Sequence, residues 1–292
     1  MIQRSAWQGL ETLLIDTPFA RCEVALHGGQ VLSFIPHVDG RDLLWCSPAR
    51  LAAGRAVRGG VPVCWPWFAR QDRPAEAVQH GFVRRMPWRL STCAERPDGQ
   101  VRLVLRTAAP ADGWPDGQGW PAACEPELEV LVGEALEISL RTVNGSAEPV
   151  RLTQALHSYF RVGDVRRIAI AGLEGLRYLD KIRAFDEFTQ DEPWRFDTVC
   201  DRIYLRSRAR HVIDDPVLDR AIVVESRHSA STVVWNPGAE GVAALGDVPL
   251  ADWYQYVCVE AANCGPLDTV TLPPGAETTL VQRISVAPRA RA

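Results

Sequence analysis

Residues 136–156 read L-E-I-S-L-R-T-V-N-G-S-A-E-P-V-R-L-T-Q-A-L, and apolar and polar side chains alternate through most of the stretch. A period of two places apolar side chains on one face of a β-strand. Asn144-Gly145 separates the two alternating halves and is a strong hairpin signal, although the connection extends to Pro149. The stretch therefore predicts two antiparallel strands and a protein built from sheets.

His157 follows directly, where the second predicted strand leaves the sheet, and the chain continues S-Y-F-R-V-G-D. An imidazole at a strand end can be held rigidly and still face a cleft. The alternative is a structural histidine that packs on Tyr159 and Phe160. The neighbouring residues alone favour the structural interpretation, so the rest of the sequence has to decide.

Short apolar runs separated by Gly, Pro, Asn and Asp continue along the whole chain. Pro97-Asp98-Gly99 predicts a hairpin between residues 88–92 and 101–106. Further strands are predicted at 12–16, 22–26, 31–36, 42–45, 220–225, 232–235, 256–260 and 278–286. No long amphipathic helix is indicated, and residues 250–255 form one or two short turns at most. This pattern predicts an all-β fold, a large antiparallel β-sandwich with few short helices, as a single domain over residues 1–292.

The composition is that of an ordinary soluble globular protein. The 292 residues carry 36 acidic and 32 basic side chains, a formal charge of −4, and no basic block suggests a nucleic-acid partner. Nearly all basic residues are arginines, and Lys181 is the single lysine, which we attribute to coding composition. No apolar signal core or membrane-length stretch is present, so we expect a cytoplasmic protein with no membrane partner.

The eight cysteines lie mostly in apolar runs, and none forms a C-x-x-C pair or a zinc-spaced Cys/His cluster. Buried free thiols in a reducing compartment are therefore expected. The cysteines are Cys22, Cys46, Cys64, Cys93, Cys124, Cys200, Cys258 and Cys264.

Two stretches in the first third of the chain combine arginine, glycine and aromatic residues. In the first, Arg58 precedes Gly59-Gly60, which allows a close backbone approach, and Arg58 can bind an anion. Trp65, Trp67 and Phe68 then offer flat faces for a sugar ring. The alternative is a solvated arginine beside a turn, with the aromatic residues in the core.

The second stretch is Q-H-G-F-V-R-R at residues 79–85, in which Gln79, His80 and Arg84 are candidate binding residues. Adjacent residues of an extended chain point to opposite faces, so only one of Arg84 and Arg85 faces a given pocket easily. The alternative is a loop with a hydrogen-bonded histidine and exposed arginines.

Two carboxylates lie in or beside later apolar strands. Glu260 ends the run Y-V-C-V-E, and carboxylates are rarely buried without a partner or a purpose. A desolvated glutamate has a raised pKa, which suits a general base near neutral pH. A structural Glu–Arg pair is the alternative. Asp201 can accept hydrogen bonds from sugar hydroxyls, or it can cap a strand or pair with Arg202.

The sequence resembles the aldose 1-epimerase (galactose mutarotase-like) superfamily, and within it the branch that acts on hexose 6-phosphates. The resemblance spans nearly the whole chain and rests on seven motifs in the family's order. These are V-R-G-G-V-P-V-C-W-P-W-F, Q-H-G-F-V-R, A-L-H-S-Y-F-R-V-G-D, G-L-E-G-L-R-Y-L-D-K, D-R-I-Y, V-V-W-N-P and Y-V-C-V-E-A-A-N. Each motif alone is weak, whereas seven with matching order and spacing are specific.

The resemblance implies a large twisted antiparallel β-sandwich with a cleft on one sheet. It implies that the cleft interconverts the α and β anomers of a hexose 6-phosphate, most simply glucose 6-phosphate, without a metal or other cofactor. It assigns His157 as general acid and Glu260 as general base. Arg58, Gln79 and Arg84 match substrate-binding positions, the arginines at or near the phosphate, and Asp201 matches a contact to the sugar hydroxyls. His80 lies where related mutarotases carry a second histidine, whereas Arg85 has no match.

Three rival functions remain open from the sequence. A mutarotase of unphosphorylated aldoses would use the same acid and base. A non-catalytic carbohydrate-binding β-sandwich would have no need to bring His157 and Glu260 together, so a separation of more than about 10 Å would favour it. A retaining glycoside hydrolase needs two carboxylates about 5–5.5 Å apart, for which Asp201 and Glu260 are available. The sequence leaves the oligomeric state open, with a monomer expected and a dimer as the alternative.

Overall fold

The computed structural model describes residues 1–70, 73–114, 119–207 and 210–289, and β-strands dominate them. Its one α-helix, α1, spans Gly238–Gly241, and short 3-10 helices lie at Val83–Arg85, Val165–Arg167, Lys181–Arg183, Val242–Ala244 and Trp253–Gln255. The described strands are β1 (Ile2–Trp7), β2 (Leu10–Asp16), β3 (Ala20–Ala25), β4 (Gln30–Pro36), β5 (Val63–Cys64), β6 (Arg89–Glu95), β7 (Val101–Arg106), β8 (Cys124–Val132), β9 (Leu136–Asn144), β10 (Val150–Leu152), β11 (Gln154–Leu156), β12 (Tyr159–Arg161), β13 (Ala169–Ala171), β14 (Arg177–Asp180), β15 (Asp186–Thr189), β16 (Cys200–Leu205), β17 (Arg210–Asp215), β18 (Arg220–Arg227), β19 (Ser231–Asn236), β20 (Tyr256–Asn263), β21 (Val270–Leu272) and β22 (Glu277–Ala287). The prediction of an all-β fold with few short helices is confirmed. No helix in these ranges is long and apolar enough to cross a membrane.

Two eight-stranded antiparallel sheets form the body of the protein. The first, here called the cleft sheet, has the order β15-β14-β16-β19-β20-β11-β5, and β12 also pairs with β20. The second, the back sheet, has the order β13-β17-β18-β22-β9-β8-β7-β6. A four-stranded sheet, β1-β2-β3-β4, and the two-stranded pair β10-β21 complete the fold. The predicted antiparallel sandwich is therefore observed.

The main core lies between the cleft sheet and the back sheet. Its buried side chains include Leu156, Val257 and Val259 from the cleft sheet and Leu140 and Leu280 from the back sheet. Strands β8 and β9 bury every second residue, as their sequences predict. In contrast, β20 is buried at all eight positions, because one of its faces packs on the core and the other forms the floor of a cleft.

The predicted hairpin across Asn144-Gly145 is wrong. Strand β9 pairs with β8 and β22 in the back sheet, whereas β11 pairs with β20 and β5 in the cleft sheet. Residues 145–149 lead from β9 to β10, which pairs with β21, and the chain enters the cleft sheet only at β11. The Asn144 side chain donates to the carbonyls of Glu148 and Leu272 instead of supporting a two-residue turn. The connection to Pro149 is too long for the tight turn that Asn-Gly signals.

Elsewhere the observed strands agree with the predicted ones only in part. The hairpin at Pro97–Gly99 is confirmed, because β6 pairs with β7. Residues 42–45 form no strand, and only isolated bridges tie Leu44 to Phe160 and Cys46 to Gly59. Strand β20 continues past Glu260 to Asn263, so Glu260 lies inside the strand and not at its end.

The prediction of mostly buried free thiols is confirmed. All eight cysteines are free, six are buried and Cys46 is partly buried, while Cys93 is exposed. Burial raises the pKa of the Cys64, Cys258 and Cys264 thiols, so these side chains are uncharged packing groups.

Candidate active site

The register of the cleft sheet places His157 directly opposite Glu260. Leu156 pairs with Ala261 and Tyr159 pairs with Cys258, so the same antiparallel register runs through the two residues between β11 and β12. Directly opposite residues of antiparallel strands present their side chains on the same face. Two residues 103 positions apart in the sequence are therefore cross-strand neighbours.

The floor of the cleft consists of two adjacent rows of such neighbours. The first row contains His157, Glu260, Val233 and Ile203, and the second contains Tyr159, Cys258, Trp235 and Asp201. Lys181 follows β14 by one residue and lies opposite Asp201 when the register of β14 and β16 is continued. The two rows are two residues apart on every strand, so all these side chains share one face.

The ladder between β12, β11 and β20 is incomplete at His157 and Ser158: the Val259 N–H still donates to the Ser158 carbonyl at 3.3 Å, but the Ser158 N–H donates to the Leu156 carbonyl. His157 donates its N–H to the carbonyl of Pro62 at 3.0 Å. Gln282 of β22 reaches across the core from behind, donating to the Val259 carbonyl at 3.0 Å and accepting from the Ser158 hydroxyl. The fully buried amide of Gln282 thereby supplies hydrogen-bond partners to the Val259 carbonyl and the Ser158 hydroxyl.

His157 and Glu260 are both buried, with 6% and 1% exposure, and His157 Nδ1 lies 3.3 Å from Glu260 Oε1. Nδ1 and the second carboxyl oxygen, Oε2, have no hydrogen-bond partner among the described residues, so the contact is close but not aligned as a hydrogen bond. Buried polar groups are rarely left unpaired, and a bound hydroxylated molecule would supply the missing partners. The separation is far below the roughly 10 Å that would favour a non-catalytic binding protein.

The pKa values of both side chains of the pair are shifted from their ordinary ranges. Burial, followed by the positive charges of Arg84 and Arg58, lowers the pKa of His157 well below its usual value. Burial, followed by the negative charge of Asp201, raises the pKa of Glu260 well above its usual value. Both shifts favour the neutral forms, a protonated Glu260 and an uncharged imidazole.

His80 lies beside His157, with 5.4 Å between ring centroids. Its Nδ1 accepts the Ala69 N–H at 3.3 Å, and burial lowers the pKa of the ring, so the neutral His80 carries its hydrogen on Nε2 as a donor. The residue has φ +64, and an added Cβ at the following Gly81 would approach the Trp65 carbonyl to 1.9 Å. Only glycine allows this loop to pack so closely on residues 65–69.

Arg58 is held at the other end of the cleft. Its Nε donates to Asp247 Oδ1 and its Nη1 to the Tyr159 hydroxyl, both at 3.0 Å. The Tyr159 ring is stacked on His157 at 5.0 Å, so one tyrosine links the guanidinium to the imidazole. The close approach allowed by Gly59-Gly60 is to backbone: an added Cβ at Gly59 would lie 2.3 Å from Cys46 Cα.

Arg84 has no carboxylate partner among the described residues. Its Nη2 donates to the Gln79 carbonyl at 2.7 Å, and its buried Nε has no partner in the described part of the chain. Burial lowers the pKa of this guanidinium. Arg84 and Arg85 belong to a 3-10 helix and not to an extended segment, yet they do point apart, because Arg84 lines the cleft and Arg85 lines a different cavity.

Asp201 is paired with neither Arg202 nor a strand end. The ammonium of Lys181 lies 2.6 Å from Asp201 Oδ2, while Arg202 points to the opposite face, with its Nε 3.7 Å from Asp180. Lys181 was missed as a site residue, although it closes the motif G-L-E-G-L-R-Y-L-D-K and is the single lysine of the chain. Its uniqueness was the available signal.

Only one of the three aromatic residues predicted to offer a face to a sugar ring, Phe68, lines the cleft. Trp65 and Trp67 are buried in the main core, as the alternative interpretation states, and Trp65 donates to Thr142 of the back sheet. Phe68 does line the cleft. The other aromatic wall is Trp235, which contacts His157 edge-on at 6.0 Å and was not assigned a role from sequence.

All seven predicted site residues line one cavity of about 230 Å³. Its described lining residues are Arg58, Phe68, Gln79, His80, Arg84, His157, Lys181, Asp201, Val233, Trp235, Leu245 and Glu260. One acid–base pair, three cations and one further carboxylate thus face a space on the scale of a single sugar ring.

This fold and this cleft define the class of protein: the chain belongs to the aldose 1-epimerase family. The family profile described as Aldose 1-epimerase matches residues 11–285. The match covers both large sheets and every residue assigned to the cleft.

Relatives with full-length similarity carry more particular names. A protein of Escherichia coli strain K12, named "Putative glucose-6-phosphate 1-epimerase", is 35% identical over 294 residues, covering 99% of this chain and 95% of the relative. A Salmonella typhimurium protein of the same name is 34% identical over 295 residues, with the same coverage. The crystal structure of a "putative mutarotase" from Salmonella typhimurium superimposes with a TM-score of 0.88 at 32% identity, covering 99% of this chain and 94% of that one.

Proposed function

We propose that this protein interconverts the α and β anomers of a hexose 6-phosphate, glucose 6-phosphate first among them, by acid–base opening of the ring. One observation carries the proposal. His157 and Glu260 lie 3.3 Å apart in a cavity that also contains Arg84, a half-buried guanidinium without a carboxylate partner in the described part of the chain. Family membership supports the ring opening, and Arg84 supports the phosphate.

The reaction needs one proton removed and one delivered. Glu260 takes the proton from the hydroxyl on C1 while His157 gives a proton to the ring oxygen O5. The C1–O5 bond breaks, the electron pair of the O1–H bond forms the C1 carbonyl, and the open aldehyde results. Rotation about C1–C2 presents the other face of the carbonyl, and the two groups reverse their roles on closure. No electron or group leaves the sugar, so the two side chains supply all the chemistry, each transfer contributing typically about 10²–10⁴-fold.

The working charge states require the proton on His157, whereas burial and the surrounding charges favour it on Glu260. A phosphate dianion against Arg58 and Arg84 would offset the two positive charges that lower the pKa of His157. The phosphate would offset Arg84 at Glu260 as well, so transfer of a proton from Glu260 to His157 depends on offsetting Arg58, whose charge acts on His157. In this proposal the phosphate anchors the sugar and also prepares the acid–base pair.

The two arginines suit the phosphate unequally. Arg58 already shares its charge with Asp247, whose carboxylate lies 3.0 Å away. Among the described residues, Arg84 donates to a neutral backbone carbonyl and has no carboxylate partner, so its charge is available to an anion. A charge-assisted contact between guanidinium and phosphate is among the stronger hydrogen bonds in proteins. We therefore assign the main phosphate contact to Arg84 and a supporting contact to Arg58.

Anomer exchange rates test this function directly. We would measure interconversion of glucose 6-phosphate, galactose 6-phosphate and free glucose by NMR exchange, subtracting the spontaneous rate. The wild-type protein should favour a 6-phosphate. Arg84→Met should lower kcat/KM on the 6-phosphate at least tenfold more than on free glucose, because only the phosphorylated substrate loses a contact.

Arg85→Met is the matched control, since Arg85 is the neighbouring residue of the same 3-10 helix and lines another cavity. It should leave the ratio between the two substrates unchanged. Equal losses on both substrates in Arg84→Met would contradict the phosphate assignment and favour a mutarotase of free aldoses. Tight sugar binding without any rate above the spontaneous one would favour a carbohydrate-binding protein.

A further inference from the structure

Lys181 is unusual because it is the single lysine of the chain and lines the cleft. The chain contains 32 lysine and arginine residues, and Lys181 is the only lysine among them. It begins the 3-10 helix that follows β14, where the Asp180 side chain accepts the Ile182 N–H at 3.0 Å and fixes the turn. A coding preference for arginine explains the other positions, but it does not explain why the exception lies in the cleft.

The contacts of Lys181 connect it to the acid–base pair. Its ammonium lies 2.6 Å from Asp201 Oδ2, and both side chains line the cavity that contains His157 and Glu260. Asp201 Oδ1 is buried and has no hydrogen-bond donor in the described part of the chain. One oxygen of Asp201 is thus held by Lys181, while the other remains an acceptor without a partner.

We propose that Lys181 is a positioning residue of the cleft: its ammonium holds Asp201 as an ionised acceptor for the sugar hydroxyls and offsets the charge of Asp201 beside Glu260. The inference rests on the proposed function, since it concerns the same sugar and the same base. It assigns a role to a residue that touches the substrate only through Asp201.

The balance of charge around Glu260 supports this role. The charged and titratable groups that act on Glu260 are Asp201 from β16, Lys181 from the following turn, Arg84 from its 3-10 helix and His157 from the opposite strand. Asp201 raises the pKa of Glu260, second only to burial, whereas Lys181 and Arg84 lower it. Without Lys181, two carboxylates would share the cleft with less compensation, and a base that must lose its proton would hold it more tightly.

The chemistry of lysine fits the position better than that of arginine. An ammonium is a compact charge on a flexible stem, whereas a guanidinium is planar and larger and binds carboxylates through two parallel hydrogen bonds. A two-point grip on Asp201 would occupy Oδ1, the oxygen left for the sugar. Lys181 leaves that oxygen unoccupied.

Kinetics over a range of pH test the proposal. Lys181→Met should lower kcat/KM on glucose 6-phosphate by about 10- to 100-fold at pH 7. It should also move the alkaline limb of the profile to higher pH, because the pKa of Glu260, which carries the proton of the pair, rises when a neighbouring cation is lost. Lys181→Arg should restore the limb but not the full rate. Arg177→Met is the control and should change neither quantity. Arg177 is an exposed residue of β14, the strand before Lys181, and it pairs with Glu187 of β15.

The double variant separates a positioning role from a merely structural one. Asp201→Asn should lower the rate through loss of the acceptor, and adding it to Lys181→Met should return the alkaline limb to its wild-type position, because both charges are then absent. An unmoved limb in Lys181→Met would overturn the proposal. So would a double variant whose limb stays with that of Lys181→Met.

A spectroscopic measurement keeps this inference separate from the proposed function. Incorporation of [ε-¹³C]lysine labels one side chain only, so the protein gives one lysine resonance. The resonance should differ between wild type and Asp201→Asn without ligand, and in wild type it should move on addition of 1,5-anhydroglucitol 6-phosphate, a ring that cannot open. Rapid anomer exchange with an unmoved resonance would overturn the role of Lys181 alone. A moving resonance without any catalysed exchange would overturn the proposed reaction alone.

Discussion

The cleft sheet and the back sheet have the same number of strands and the same antiparallel pairing, but they differ in regularity. In the back sheet, β8 and β9 pair without interruption over nine residues each and bury every second side chain. In the cleft sheet, the pairing along β20 is interrupted at His157 and Ser158, and Glu260 is buried within it. The regular sheet provides a stable support. The interrupted sheet has fewer backbone hydrogen bonds and buries a carboxyl group, and these features form the site.

Gln282 shows how the regular sheet supports the irregular one. Its backbone belongs to β22, where it pairs with both β18 and β9. Its side chain repairs the interruption opposite, at the Ser158 hydroxyl and the Val259 carbonyl. The two sheets are therefore not independent layers, because a polar group of the support completes the hydrogen bonding of the site.

The largest expected effect comes from Glu260→Gln. The anomer exchange rate should fall by about 10²–10⁴-fold, since the base is lost while the shape is kept. Stability should rise at the same time. A carboxyl group whose pKa is raised on folding stabilises the fold fully only below its unfolded pKa, and this contribution is lost as the pH rises through the folded pKa. Above neutral pH the variant should thus unfold about 2–4 °C higher for each kcal/mol gained, measured by thermal denaturation.

Glu137→Gln on the back sheet is the control for this prediction. Glu137 pairs with the exposed Arg227, so its removal should change the free energy of unfolding by at most about 1 kcal/mol and leave the rate intact. A Glu260→Gln variant with a normal exchange rate would remove Glu260 from the mechanism. One that is less stable than wild type at pH 8 would contradict the contrast between the sheets.

An intermediate effect is expected from Gln282→Leu. Loss of the amide leaves the Ser158 hydroxyl and the Val259 carbonyl unpaired, at a cost of about 1–3 kcal/mol for each buried group. The free energy of unfolding should fall, and kcat of the folded protein should fall about tenfold, because the segment that carries His157 loses its support. Urea denaturation and anomer exchange measure the two effects.

Leu280→Ala tests whether the effect of Gln282→Leu is specific. Leu280 is two residues away on the same strand and packs in the same core. Its truncation should cost about 2–5 kcal/mol but leave kcat of the folded protein near that of wild type. If both variants lower stability and neither lowers kcat, the proposed support of the cleft by Gln282 is wrong.

The smallest effect expected is a shift in pH dependence. Arg84 lowers the pKa of both His157 and Glu260, so Arg84→Met should raise both. The alkaline limb of kcat/KM on free glucose follows loss of the proton shared by this pair, and it should move to higher pH. Arg85→Met should leave the limb in place. A limb that stays or moves to lower pH in Arg84→Met would mean that Arg84 does not act on the pair.

Prediction from sequence was more successful for the regular back sheet than for the cleft sheet. Strands β9 and β22, whose apolar residues alternate, were predicted nearly to their ends, whereas the pairing across Asn144-Gly145 was wrong because local turn signals do not report which sheet a strand joins. Arg58, Gln79, Arg84 and Asp201 were found by resemblance, and all of them line the cleft. Lys181 and Trp235 were not assigned to the cleft, although both lie in the quoted motifs. A motif does not show which of its side chains face the cleft.

The sequence by itself determined that the chain is all-β, which family it resembles and which polar residues belong together, because alternation and motif order are properties of the chain. Only the tertiary structure decided that His157 lies opposite Glu260, that burial shifts the pKa values of the two side chains in opposite directions, and that Lys181 pairs with Asp201. Register and burial are set by pairing and packing between distant segments. They fix the distances and the solvation on which proton transfer depends.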